Sequence, residues 1–367
     1  MVTVGLCLMT SACAGSRSSP ARALSTLPVT VAVSAAPTVI GAHGHVGVVL
    51  ADDPSPVATR PASTRTAVQA VLTKAGFETS VEVAADTAAF VVAATKMIAA
   101  PVSVLVLSTS ASDAATKVRA LANAARIPTI DFERLAPGSG ATVFVGTDER
   151  AVGDALARSL LACIADKKVS HAHVVELRDG PLDPPSLARQ GYLAIMQPRY
   201  DAGDNVKAAE RTVQPADSAT AGAIFADVLT AASGRVDAVV ADSDQLAVGA
   251  IETMKRNGLQ LSVVGAGITV TALRSVLRGE QCAAVGTTPK ASADALARVV
   301  VAVLGGDRAP TSNVVRDAVG NADIAAALIA PATVGRADVK AAVLAGAATV
   351  AELCADLTSR CAAANIA

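Results

Sequence analysis

The chain has 367 residues, enough for two lobes of ordinary size with cores of their own. It is 52% hydrophobic, only 17% charged and close to neutral at a net charge of −1, so no basic stripe exists to neutralise phosphates and a nucleic-acid binder is excluded. With no Trp, two Tyr and five Phe, its core must be built from small and β-branched side chains.

In chain order, the first feature is MVTVGLCLMTSACAGSRSSP, which reads as an export signal. Its apolar stretch of about a dozen residues is too short to anchor the chain by spanning a bilayer. The small residues before Cys13 resemble a bacterial lipobox, in which the Cys is acylated and becomes the new N-terminus. Thr10 stands where Leu is usual, and no Lys or Arg precedes the apolar run. Residues 1–13 are therefore expected to be a lipoprotein signal. Plain secretion and a cytosolic chain with an apolar start are the alternatives. Residues 14–44, rich in Ser, Ala, Pro and Thr, read as a tether.

From residue 46 onward one unit recurs, a β-branched apolar run followed by an Ala-rich helical segment. The runs are 46–50, 102–107, 127–130, 142–145, 173–177, 236–240 and 261–265. The helices between them include 62–75, 87–99, 111–125, 149–165, 186–197, 217–233, 244–257 and 269–278. This alternation predicts an α/β fold of parallel sheets covered on both faces, and its length predicts two Rossmann-like lobes.

Such sheets bind ligands at the carboxyl ends of their strands. There the sequence places Asp52 and Asp53, then Asp131, Phe132, Glu133 and Arg134, and then Thr147, Asp148 and Glu149. Further along come Arg178, Asp179 and Asp183, followed by Asp242, Ser243 and Asp244. Carboxylates accept from hydroxyls and Arg donates to oxygens, so this rim suits a small polyhydroxy ligand. An Asp after a strand is equally a helix N-cap, which is the competing explanation for each acid alone.

The ordered stretches IPTIDFERL (127–135), GTDERAVGDALARSL (146–160), VDAVVADSDQLAVGAIETMKRNGL (236–259) and LRGEQCAAV (277–285) carry a resemblance. The tail 328–366, with its two cysteines, carries it further. Over residue 46 to the C-terminus the chain resembles the type I periplasmic sugar-binding proteins, in the xylose and multiple-sugar branch that serves ABC importers. The resemblance implies a three-stranded hinge and a ligand held in the cleft between lobes.

It also implies ligand contacts, several of them altered. The family's Asp-Tyr-Asp-Arg becomes Asp131-Phe132-Glu133-Arg134, and its Phe-Asp-Asn becomes Thr147-Asp148-Glu149. Its Asn-Asp becomes Ser243-Asp244, its Gly-Gln-Asp becomes Gly265-Ala266-Gly267, and its Tyr-Lys becomes Gly286-Thr287. Arg60 could partly replace a missing Arg-Trp, and Pro184-Pro185 stands for a double Asn beside Asp183. The expected ligand set is Asp52, Asp53, Arg60, Phe132, Glu133, Arg134, Asp148, Glu149, Asp183, Ser243, Asp244, Gly267 and Thr287. Phe132 is the one aromatic assigned to the rim, where sugar sites ordinarily stack apolar sugar faces on rings.

Of six cysteines, Cys7 would leave with the signal. Cys163 and Cys282 sit in apolar surroundings and are expected as small buried residues. Cys354 and Cys361 would be too far apart on a straight helix to bridge, though a broken helix would permit it. In the resemblance they pin a C-terminal clasp over 335–367. The Asp242-Ser243-Asp244 run, the Gly265–Val270 turn and the His43/His45 and His171/His173 pairs are weak signals for metal or phosphate chemistry.

The expectation is a non-enzyme without cofactor or metal: a monomeric lipoprotein that binds a sugar-like solute and docks on ABC permease subunits. The alternative is a non-transporting sensor or scaffold with an empty cleft. Lobe 1 is expected over 45–140 and 288–310, and lobe 2 over 141–287 and 311–334. Crossings are expected near 134–147, 286–289 and 309–314.

Overall fold

The computed structural model describes residues 44–52, 61–100, 102–136, 138, 140–182, 185–311, 313–317 and 319–366. The expected signal, Cys13, nearly all of the tether, Asp53, Arg60 and Asp183 lie outside the described residues.

The chain opens with β1 (His45–Ala51), α1 (Pro61–Lys74), β2 (Glu78–Ala84), α2 (Thr87–Ala99) and β3 (Val104–Ser108). It continues through α3 (Ser112–Ala124), β4 (Thr129–Phe132) and β5 (Val143–Thr147). These strands pair in parallel in the order β5-β4-β3-β1-β2. β1 and β3 are buried along their length because both faces are covered. Val46, Val48, Ile130 and Phe132 pack toward α1 and α9 (Pro289–Gly305), while Val49, Leu105 and Leu107 pack toward α2 and α3.

The second lobe runs α4 (Glu149–Asp166), β6 (Ala172–Arg178), α5 (Leu187–Asp201), β7 (Asn205–Thr212) and α6 (Ser218–Ala231). It goes on through β8 (Ala238–Ala241), α7 (Asp244–Arg256), β9 (Ser262–Ala266), α8 (Val270–Arg278) and β10 (Ala283–Gly286). Its parallel sheet has the order β10-β9-β8-β6-β7. Helix α9 then returns to the first lobe and packs on α1. After it, the hairpin β11 (Asn313–Asp317) and β12 (Ala322–Ile329) lies beside β5. Finally β13 (Ala332–Val334) pairs antiparallel with β10, and α10 (Val339–Leu344), α11 (Val350–Cys354) and α12 (Thr358–Ala363) close over α8.

Two expected boundaries are corrected. β5 belongs to the first sheet, because Val143 and Val145 align with Ile130 and Phe132 and share their core. Residues 133–142 therefore form the crossover between neighbouring parallel strands and not a hinge. Residues 313–329 also belong to the first lobe. The Asp317 carboxylate accepts from Gly138 N–H at 2.8 Å and from Gly320 N–H at 3.0 Å, tying the hairpin to that crossover. The chain passes between sheets after β5, after β10 and after β12.

The cysteines pair twice. Cys163, buried on α4, is bonded to the exposed Cys282 just before β10, with Cα atoms 6.3 Å apart, so the expectation of two separate buried thiols is corrected. The helix at the C-terminus breaks between α11 and α12, which brings Cys354 and Cys361 to a Cα separation of 6.0 Å and a disulfide.

Helices α4 and α5 approach at two glycines. A Cβ on Gly153 would lie 1.7 Å from the Ala188 carbonyl oxygen, and one on Gly191 would lie 2.0 Å from that of Arg150. No rotamer change relieves a backbone clash. Gly153→Ala is expected to cost about 3 kcal/mol, whereas Gly180→Ala, with open space around it, should cost under ~1 kcal/mol. Urea denaturation of both variants checks the contrast.

Candidate functional site

The carboxyl ends of the two sheets face one another across a cleft of about 620 Å³. The first lobe contributes Leu50, Ser108 and Thr147 from strand ends, and Glu133 and Arg134 from the turn after β4. Glu133 adopts a left-handed φ of 60°, a conformation that costs about 1 kcal/mol for a residue with a Cβ. The turn is held from below. Buried Asp131 pairs with buried Arg119 of α3 and accepts from the Ala136 N–H at 3.2 Å. Burial pushes the Asp131 carboxyl up to about 6 despite the guanidinium beside it.

The second lobe contributes Glu149, Asp179, Asp242 and the stretch Ala266–Ile268. Gly267 has φ 104°, open to glycine and costly for other residues, and it packs against the Asp244 side chain. The passage from β10 to α9 adds Gly286, Thr287 and Thr288, and Thr147 and Thr287 meet at 3.1 Å where two crossings lie side by side. Hydroxyls and carboxylates thus dominate the polar lining, and none of the lining residues is aromatic.

Behind Asp242 sits a buried ionic cluster. Arg178 is 1% exposed and donates to Asp242 (2.8 Å), Glu176 (2.5 Å) and Glu210 (3.3 Å), with its guanidinium 4.7 Å from the Tyr192 ring centroid. Tyr200 donates to Glu176 at 2.7 Å, and Arg189 donates twice to Glu210 at 2.6 and 2.9 Å. Burial lifts the Asp242 carboxyl above its ordinary range, opposed by Arg178. Asp179 is pushed up to about 6 by burial and by Asp242. Glu149 is pushed up to about 7 by the walls around it and by Asp179, Asp148 and Asp242. Glu149 is nonetheless exposed, so solvent screens part of this repulsion.

Of the expected ligand set, Glu133, Arg134, Glu149, Gly267 and Thr287 line the cleft. The others that can be described do not. Phe132 is fully buried in the first core, because its side chain points to the face that packs on α1 and α9. Asp148 caps α4 by accepting from Ala151 N–H at 3.1 Å, and buried Ser243 caps α7. Asp244 is buried and accepts from the Thr269 hydroxyl at 2.5 Å. Asp52 is exposed, with its backbone N–H bonded to Ala84, and is absent from the lining. Asp179 and Asp242 stood at the predicted rim but outside the chosen set; the signal for them was their place one residue beyond β6 and β8. Ser108 and Thr147 carried the same signal, at the ends of β3 and β5.

The described histidines serve the scaffold. His45 bonds Ser80 at 2.7 Å, His171 bonds the Gly203 carbonyl at 2.7 Å, and His173 faces Asp237. Among the described residues no three His, Cys, Asp or Glu side chains gather to hold a metal ion.

The crowded acids tie stability to pH. Glu149 titrates higher in the folded chain than unfolded, so its contribution is lost as pH rises from about 4.5 through about 7. Glu149→Gln should therefore stabilise the ligand-free protein at pH 8 by about 1 kcal/mol, after allowance for screening by cleft water, and by almost nothing at pH 5. Paired thermal melts at the two pH values check this.

Residues 46–308 match the family described as periplasmic binding protein domain. The chain is 25% identical over 208 residues to the D-xylose-binding periplasmic protein of Haemophilus influenzae, covering 56% of this chain. It is 28% identical over 188 residues to the ribose import binding protein RbsB of the same organism, covering 51% of this chain. Each match spans 61% of the relative's own length. In fold it is similar to an ABC transporter solute-binding protein from Clostridium phytofermentans with bound β-D-glucose, at a TM-score of 0.67 and 21% identity, over 84% of this chain and 99% of that one. A solute-binding protein from Bacillus halodurans with bound myo-inositol gives a TM-score of 0.59 at 19% identity, over 82% and 98% of the two chains.

Proposed function

The chain belongs to the periplasmic binding protein domain family, and on that premise we propose that it is an extracytoplasmic solute receptor of an ABC importer. It takes a sugar or related polyhydroxy solute and does no chemistry on it. One observation carries this: a cleft of about 620 Å³, lined from both lobes by hydroxyls, carboxylates and Arg134, at the carboxyl ends of two parallel sheets. That volume lies within the range of small-molecule sites.

The mechanism is closure. A solute touching Glu133, Arg134 and Ser108 on one side and Asp179 and Asp242 on the other gains contacts to both lobes only when the lobes approach. It therefore stabilises the closed state in proportion to that difference. The three crossings, after β5, β10 and β12, are where the backbone bends. A permease then reads the closed form, with the receptor acting as a monomer held at the membrane by lipid on Cys13.

Calorimetry against a panel of pentoses, hexoses and cyclitols is the direct test. A member of the panel should bind with micromolar affinity or better, and Arg134→Ala should weaken it about tenfold, a loss of ~1.4 kcal/mol in charge-assisted hydrogen bonding. Small-angle scattering should show a smaller radius of gyration with that solute bound. No binding across the panel would leave a receptor role unsupported. For the anchor, Cys13→Ala should move the protein from the membrane fraction to the soluble one.

A further inference from the structure

We infer that the solute of this cleft carries a protonated amine, so that the receptor takes an amino sugar or a similar hydroxylated amine in preference to its neutral counterpart. The inference rests on the receptor role proposed above, and it comes from the charges of the cleft and from what surrounds them.

Behind the cleft, three cations and three anions balance: Arg178, Arg189 and Lys207 against Glu176, Glu210 and Asp242. All three kinds of Arg178 nitrogen donate to these carboxylates, so the guanidinium is committed away from any solute. On the first-lobe side, Glu133 and Arg134 are adjacent and of opposite sign. Glu149 and Asp179 remain. Both line the cleft, and among the described residues neither forms an ion pair with any lysine or arginine, although the Arg178 charge partly offsets the repulsion at Asp179. Asp148 and Asp242 add to the negative field at Glu149.

Two further observations select the partner of these acids. Among the described residues no three carboxylate, His or Cys side chains gather around a point where a divalent ion could sit. The lining also has no aromatic ring on which the apolar face of a neutral sugar could stack. An ammonium group matches what remains, since it supplies three donors and one positive charge to two carboxylates, with hydroxyls around them for the rest of the molecule. The raised carboxyls at about 7 and about 6 fit the same picture: their mutual repulsion is relieved when a cation arrives, and bound protons leave.

The test is calorimetry with matched trios at pH 7.5: D-glucosamine, D-glucose and N-acetyl-D-glucosamine, and the corresponding galactose and mannose sets. At least one amine should bind at least tenfold more tightly than its neutral and acetylated partners. Its advantage should shrink at high ionic strength. The double variant Glu149→Gln, Asp179→Asn should lose that advantage, its affinity for the amine falling at least tenfold, to the level of its own affinity for the neutral sugar. Thermal melts of this variant should match or exceed those of the natural chain at pH 8, which separates loss of binding from loss of fold. A neutral sugar binding as tightly as its amine would overturn this inference and leave the receptor role standing. No binding by any member of the trios would overturn this inference, and no binding across the wider panel of pentoses, hexoses and cyclitols would overturn the receptor role with it.

Discussion

Parallel strands cannot be joined by a tight turn, and that constraint organises this molecule. From β1 to β10 every strand except β4 is followed by a helix that returns the chain, so within each sheet these parallel strands put their carboxyl ends on one edge and their amino ends on the other. The side chains just past those ends are free of the ladder and of the core. Two such edges set face to face, with the chain passing between them three times, make a pocket whose walls belong to separate sheets. The residues placed there share a position in the repeating unit, which is why a single rule finds Glu133, Asp179 and Asp242.

Arg178 gives the second wall its rigidity. Its guanidinium joins β6 to carboxylates on β6 and β7 and to Asp242 just past β8, and it lies over Tyr192 of α5. Burying so many charges is costly in itself, and the cluster holds because nearly every donor meets a carboxylate and Tyr200 supplies another hydrogen bond to Glu176. Asp242 is consequently held in place where it lines the cleft. The contrast with Glu149 is instructive: it stands at the first turn of α4, is exposed, and among the described residues has no such cation to hold it.

The alternating apolar runs made the two-lobed α/β architecture legible, and the eight helices read from the sequence lie within a few residues of α1 to α8. What stayed hidden has physical causes. β2, ETSVEVA, and β7, NVKAAERT, are sheet edges with half-polar alternation and no continuous apolar run. β5 looked like the start of the second lobe because the charges after it mark a strand end. A strand end does not say which sheet the strand joins; the pairing of Val143 with Ile130 does. At the site, the polar residues split by whether the adjacent helix needed them. Asp148, Ser243 and Thr269 point back to cap their helices, and only the full geometry separates them from Asp179 and Asp242.

The bond between Cys163 and Cys282 spans 119 positions of sequence and encloses most of the second lobe, from the end of α4 through β6, β7, β8 and β9 to the start of β10. A protease that nicks any loop inside that enclosure leaves both fragments covalently joined, each still packed on the other through the shared sheet. A chain cut once within that enclosure would thus still hold its cleft together.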